Sequence, residues 1–433
     1  MQRFLLATLF ATLFSANLKA ADSASRLTDL SKQQSSLFAR QRVVEPHTLF
    51  EFKRLYGVVG TYFQSVTFGA GAAATHDINY ASTTITAGTV SGGYSIQQSR
   101  TYWDYQIGKG HRLLCSGNFH NAVTGTVKRI GLYDANNGMF FELSGTTSTF
   151  GVVIRTSTSG SPVDTKVLSS AFNIDKLDGT GDSKFTLDLT KSNTFFVEYS
   201  WLGTGNVYFG VISDDRPIYA HKVRNDNVNL GPFMRTASLP LRCEVRNWGT
   251  PASSAYFTTT GWDLESDGGY HTEGRVFQQS RQAAMASISQ QALQPVMAIR
   301  LVSAYGRAQF FPIEMWATQS TNTYSKMELW LCQGGAGISD PSALTWTAVA
   351  NGKSAVEYTA DSFTLTTTTA GVICLWGDGI SSQTRSYATP VLSGFLRGGS
   401  DYDGNRDIFV MTYTPISGSG TLDGAGMAFR ENF

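Results

Sequence analysis

The chain has 433 residues, enough for two to three domains of ordinary size, and only 15% of them are charged. Thirty-four Lys and Arg against 33 Asp and Glu leave a net charge of +1, which gives no electrostatic reason to expect nucleic acid or an anionic membrane surface as a partner. Low charge with abundant Gly, Ser, Thr, Val, Tyr and Phe favours extended strands and short turns over surface helices.

Residues 1–21 carry Arg3 near their start, run apolar from Phe4 to Phe14 and end in small residues around Ala20. This fits a secretory signal, and it fits equally an uncleaved apolar segment that anchors the chain to a partner. The run is short for a bilayer span, so no stable membrane insertion is expected. Residues 22–65 read as an N-terminal arm. Leu27, Leu30, Leu37 and Phe38 share one stripe of a short helix over Ser23–Arg42, Asp22 or Ser23 can cap it, and Pro46 ends it. From Leu49 to Tyr62 the arm reads as an irregular entry into the fold.

Residues 66–270 read as a first β-sandwich domain. Its densest stretch is Thr194–Ile212. Phe195, Val197, Tyr199 and Trp201 alternate with Phe196, Glu198 and Ser200, and after a Gly-bearing link the alternation resumes at Val207, Phe209 and Val211. Two such runs predict an antiparallel hairpin whose aromatic face needs a second sheet against it. Roughly ten short strands at this spacing, with Asn136-Asn137-Gly138 as a tight turn, suit an all-β sandwich. Residues 271–295 have the composition of a linker, with Gln278–Leu293 compatible with a short helix. Residues 296–433 return to strand patterning, Val391–Leu396 among the candidates, and read as a second, jelly-roll-like sandwich. The expected fold is therefore all-β, two β-sandwich domains of concanavalin-like or jelly-roll-like layout with an N-terminal helical arm.

Cys115, Cys243, Cys332 and Cys374 lie in apolar strand-like runs without Cys-x-x-Cys spacing, so buried free thiols are expected, with a Cys332–Cys374 bridge as the alternative. There is no Asn-x-Ser/Thr sequon. Asp401, Asp403, Asn405 and Asp407 place side-chain oxygens at alternate positions, as calcium loops do, although the Gly is not at the EF-hand position; a turn before the next strand explains the same residues. Asp263, Glu265 and Asp267 form a weaker cation candidate. Asp175, Asp178 and Asp182 read as a loop held by its own side chains. Otherwise no cofactor is expected. Six scattered histidines show no ligand spacing, and neither a Gly-x-Ser-x-Gly elbow nor a Walker-type loop is present. An acid pair for glycoside cleavage needs only spatial proximity, which a sequence does not display. Tyr102-Trp103, Tyr270, Trp316 and Tyr402 could stack on a sugar ring or pack in a core.

Lys128–Asp134, Asn137–Glu142, Asp175–Gly181, Phe195–Gly205 with Trp201-Leu202-Gly203 at its centre, and Leu239–Glu244 together resemble a family of virion-associated β-sandwich proteins of marine tailed phages and large DNA viruses. The Thr48-Leu49-Phe50 element of the arm extends the resemblance to about three quarters of the chain. The resemblance implies a non-enzymatic virion structural protein, of minor capsid, decoration or fibre type. Its partners would be other virion proteins and itself, as a homo-oligomer such as a trimer, and a host-surface glycan. It supplies no catalytic residue. The alternatives from other classes are a lectin-like carbohydrate-binding module and a secreted β-sandwich protein that acts on glycans.

Overall fold

The structure, a computed structural model, describes residues 45–58, 60–145, 149–269, 274–350, 352–380, 385–388 and 397–432. The signal-like segment, the helix expected over Ser23–Arg42 and the candidate strand at 391–396 lie outside the described residues. Two compact units are distinguished. One includes the described residues 45–47 and 267–269, in which the Gly268 N–H donates to the Glu45 carbonyl at 3.0 Å. The other comprises residues 48–266 and 270–433.

Among the described residues, fifteen strands precede residue 270: β1 (Pro46–Lys53), β2 (Phe63–Phe68), β3 (Ala72–Asp77), β4 (Ser82–Ala87), β5 (Tyr94–Ser99), β6 (His111–Asn118), β7 (Thr126–Tyr133), β8 (Gly138–Ser144), β9 (Thr149–Thr156), β10 (Val163–Leu168), β11 (Asn193–Tyr199), β12 (Val207–Ser213), β13 (Arg216–Val223), β14 (Leu241–Asn247) and β15 (Tyr256–Asp267). They make two antiparallel sheets. One runs β13-β12-β11-β6-β15-β4-β3 with β1 also on β15, and the other runs β10-β9-β8-β7-β14-β5-β2. The hairpin expected at 194–212 is β11 and β12, with Thr194 opposite Ile212 and Tyr199 opposite Val207. Its odd-numbered face is the core. Phe195, Val197, Tyr199, Val207, Phe209 and Val211 are all buried, and at roughly 3 kcal/mol for each aromatic ring they hold the layers together. The layers meet where Phe141 of β8 packs on Phe195 and Phe209, at ring separations of 5.0 and 5.4 Å.

The turn from β7 to β8 shows how local chemistry sets the register. The Asp134 carboxylate accepts the N–H groups of Asn136 and Asn137 at 2.7 and 2.8 Å, and Gly138 leaves the turn at φ 153°. A Cβ on Gly138 would lie 2.0 Å from the Tyr133 Cβ, so no other residue closes this turn.

Beyond residue 274 come β16 (Arg275–Arg281), β17 (Met285–Ile288), β18 (Gln294–Leu301), β19 (Gln309–Gln319), β20 (Ser325–Cys332), β21 (Thr347–Ala348), β22 (Val356–Thr359), β23 (Val372–Ile380), β24 (Arg385–Ala388), β25 (Ile408–Pro415) and β26 (Gly420–Asn432). They build a five-stranded sheet, β16-β26-β19-β24 with β17 on β26, and a six-stranded sheet, β21-β22-β18-β25-β20-β23. Phe310 of one meets Phe409 of the other edge-to-face at 5.2 Å, within a core that includes Met297, Leu329, Met411 and Met427.

Three expectations are corrected. The segment expected as a helical linker forms β16 and β17, both paired with β26. β16 is an edge strand, so it needs only one apolar side, supplied by Phe277 stacked on Phe429 at 6.2 Å, and its Gln-rich remainder stays toward water. The entry segment is not irregular, because β1 begins at Pro46 and strand structure starts well before residue 66. All four cysteines are free, and Cys374 is exposed rather than buried. Cys374 pairs across the ladder with Trp330 while Cys332 pairs with Val372, an offset of two residues that keeps the two thiols from facing each other.

Candidate functional site

The face of the eight-stranded sheet turned away from the core carries two cross-strand rows of side chains. In the first, Lys222, Tyr208, Glu198, Arg112 and Glu265 stand directly opposite one another on β13, β12, β11, β6 and β15. Five strands at about 4.8 Å spacing make this row about 19 Å wide. In the second, Tyr219, Gly210, Phe196, Leu114 and Asp263 stand on the same strands in the same order.

Two irregularities set this face. On β15 the buried side chains are Phe257 and Thr259, then Trp262 and Leu264, so the inward parity changes from odd to even. The change falls at a register shift between Thr259 and Gly261, where one extra residue bulges out of the ladder to β6. Without that bulge Asp263 and Glu265 would point into the core. On β13 a second shift opposite Phe209 and Gly210 turns Tyr219 outward. Gly210 is required there, since a Cβ would lie 2.4 Å from the Phe196 ring, and the space it leaves lets Phe196 meet Tyr219 edge-to-face at 5.1 Å. Tyr208 also approaches Tyr219 at 5.7 Å, and the Lys222 ammonium lies 5.2 Å over the Tyr208 ring.

The charges are arranged around Arg112. Its guanidinium is 3.8 Å from Glu198 on one side and 3.8 Å from Glu265 on the other. Glu198 also accepts the Tyr219 hydroxyl at 2.7 Å. Burial and then Glu198 push the Tyr219 phenol up to about 12, so the hydroxyl remains a donor. Asp263 is the perturbed member. Partial burial, then the neighbouring Glu265 carboxyl, then Glu51 of β1 push it up to about 7, against a smaller opposing effect of Arg112. Its Oδ1 is buried and has no hydrogen-bond partner among the described residues. The face thus combines a proton-carrying acid near neutrality, a second carboxyl two residues along the same strand, a fixed cation and a row of rings.

The residues singled out from the sequence fall elsewhere, apart from two. Asp263 and Glu265 belong to this face, and Asp267 is exposed at the end of β15. Asp401 holds its own turn: its Oδ1 accepts the N–H groups of Asp403 and Asn405, and its Oδ2 accepts the Asn405 amide. Asp407 is turned away from that turn and accepts the N–H groups of Gly334 and Gly399, while Asp403 is exposed. Both carboxylates accept backbone donors, as a turn before the next strand also explains, and among the described residues no group of three acidic, His or Cys side chains is placed to hold a metal ion. Asp175 accepts Leu177 and Ser183 N–H groups and Asp178 accepts Thr180, the self-held loop expected of them. Trp103 is buried, Tyr102, Trp316 and Tyr402 are half-buried, and Tyr270 lies outside the described residues. Sequence reading missed Tyr208, Tyr219 and Arg112. The signal was the other half of the β11 alternation, where Phe196 and Glu198 are the outward set.

No family model matches the chain, and no curated protein matches it significantly. Solved structures do match. Half of the chain (50%) aligns with 99% of a glycosyl hydrolase family protein from Mycobacterium fortuitum at 11% identity and a TM-score of 0.35. An endo-1,3-beta-glucanase from Streptomyces sioyaensis aligns over 52% of this chain and 97% of its own, at 11% identity and a TM-score of 0.34. The carbohydrate recognition domain of Emp47p aligns over 52% and 98%, at 10% identity and a TM-score of 0.34. Two of the three are named for glycan cleavage, so the expectation of a non-enzymatic chain is not kept. None of the three is named as a virion protein. At such identities the likeness concerns the strand layout, and the chemistry of the face rests on its own residues.

Proposed function

We propose that the outward face of the eight-stranded sheet binds a carbohydrate chain. The observation that carries this reading is the pair of rows: half-buried rings at Tyr208 and Tyr219, backed by the buried Phe196, beside hydrogen-bonding groups at Glu198, Arg112, Glu265 and Asp263. A sugar ring offers an apolar C–H face and an equatorial rim of hydroxyls. Aromatic faces take the first, and carboxylates with a planar guanidinium take the second. The about 19 Å width suits several sugar units in line rather than a single one.

A second reading, cleavage of the bound chain, is favoured by one specific observation. Asp263 is pushed up to about 7 next to Glu265. In glycoside hydrolysis one carboxylic acid protonates the leaving oxygen while a second carboxylate acts as base or nucleophile, and the two need pKa values pushed apart. Asp263 is the proton donor in this assignment and Glu265 its partner, with Arg112 and Glu198 holding the sugar. The role in virion assembly implied by the resemblance draws on no feature of this face.

Affinity electrophoresis of the full chain against a panel of soluble polysaccharides tests the first reading. At least one should retard the wild type, and Tyr208→Ala should weaken that retardation about tenfold without a change in melting temperature. No retardation by any of them, or equal retardation of the variant, would overturn it. Release of reducing sugar from the retained polysaccharide tests the second. Wild type should release it, and Asp263→Asn should still be retarded by the polysaccharide yet release at least a hundredfold less.

A further inference from the structure

We propose that a cleft on the opposite face of the first sandwich binds an oxyanion, a sulfate or carboxylate group. The cleft is about 260 Å³ and is lined by Arg129, Arg155, Arg242 and Arg246 from the seven-stranded sheet, with Trp248 and Tyr402 at its rim. The only acids among its lining residues are Asp164 and Glu244, so the four guanidiniums leave an excess of two positive charges.

The arginines are fixed before any ligand arrives. Each lies over an aromatic ring: Arg129 and Arg155 over Phe140 at 5.3 and 5.2 Å, Arg242 over Tyr133 at 5.1 Å and Tyr402 at 5.2 Å, and Arg246 over Tyr94 at 4.6 Å. Arg129 and Arg242 also grip Glu244 from two sides, at 2.7 and 2.5 Å. Burial alone would raise the Glu244 carboxyl, but Arg242 and then Arg129 hold it down to about 2, so it stays a fixed anion. Glu142 is shared between Arg129 and Lys166, and Asp164 is taken up by Arg155.

Two donors are left for a ligand. The Arg242 side chain is 4% exposed, and its Nε is buried without an acceptor among the described residues. Arg246 stands half-buried opposite Tyr94 with no carboxylate within ion-pair distance among the described residues. A planar guanidinium on a ring, weakly hydrated and with its orientation already set, is the side chain best suited to take an oxyanion in two-point fashion. A buried pair built for stability alone would be charge-balanced, whereas this one is not.

The site is independent of the carbohydrate reading, and its anion can be a free ion or a substituent on a polysaccharide. Calorimetric titration of the full chain with inorganic sulfate, against chloride at matched low ionic strength, tests it. Sulfate should bind saturably to wild type, Arg246→Gln should weaken it about tenfold, and Arg216→Gln, the same charge change at an exposed position elsewhere, should leave it unchanged. No saturable sulfate binding, or equal loss in both variants, would overturn the site. A sulfated disaccharide and its unsulfated parent then identify the source. Binding of the sulfated form alone, lost in Arg246→Gln, assigns the anion to a sugar. Sulfate binding without disaccharide binding keeps the site as one for the free ion and counts only against a glycan source.

Discussion

Asp263 and Arg54 show two ways in which a single residue holds charge against its surroundings. An unfolded aspartate titrates near 3.8, whereas Asp263 in the fold is pushed up to about 7 by burial and by Glu265. The folded state therefore binds the proton more tightly, so the group's contribution to stability is full below pH 3.8 and is lost as pH rises through 7. Asp263→Asn removes the titration. In thermal melts the variant should gain on wild type from about pH 4 to about pH 7 and hold level above it, and parallel profiles would contradict the assignment. Arg54 is fully buried, and its three guanidinium nitrogens have no hydrogen-bond partner among the described residues. It rests 4.5 Å over Phe63 and 5.0 Å over Phe52, and burial pushes it down to about 10. Ring contacts of this kind return about 2 kcal/mol, less than the cost of an unpaired buried charge. Arg54→Met should accordingly stabilise the chain by about 1 to 3 kcal/mol in urea unfolding.

At the scale of the element, the bulge in β15 decides where the acids point. Thr260 is the extra residue, and its carbonyl accepts the Arg54 N–H at 3.1 Å, which ties the bulge to the end of β1. A slip of one residue in a strand exchanges its two faces. Deleting Thr260 should drive Asp263 and Glu265 inward and Trp262 and Leu264 outward. The expected result is a soluble-yield collapse, or a red-shifted tryptophan emission with loss of the cooperative melt; a native-like melt would show that the bulge is dispensable. The alternation of Phe195, Val197 and Tyr199 made the β11–β12 hairpin legible from sequence. The parity change in β15 was not, because Thr-Thr-Thr-Gly at 258–261 carries no side chain large enough to declare which face is which. β16 went unread for a related reason, since a Gln-rich edge strand shows neither the period of a helix nor a clear alternation.

At the scale of the whole molecule, the two sandwiches of the larger unit touch through polar groups. Arg307 pairs with the buried Asp134 carboxylate, the Tyr402 N–H donates to Gln64 Oε1 at 2.8 Å, and Gln333 Nε2 donates to the Thr61 carbonyl at 3.1 Å. Asp134 is 6% exposed in its side chain, so removing its cation leaves a buried charge supported only by the N–H groups of its own turn. Arg307→Ala should cost about 1 to 2 kcal/mol, and calorimetry should split one melting transition into two as the sandwiches uncouple. A single unshifted transition would mean that the pair is idle.

What the sequence by itself determined is the class of fold, the main hairpin and its buried rings, because period-2 alternation of large apolar side chains leaves one way to hide them. It also singled out Asp263 and Glu265, although only as a weak candidate for a cation, and tertiary structure put them on the strand. Tertiary structure alone decided that Tyr208, Glu198, Arg112 and Glu265 form one row, since they come from four strands separated by up to 153 positions and meet only through the ladder. The same holds for the arginine cleft, whose members lie on neighbouring strands and whose rim residue Tyr402 comes from the far end of the chain. Cross-strand neighbours are set by register, and register is fixed by turns, bulges and the fit of two cores. None of these is written in the spacing of the residues that end up side by side.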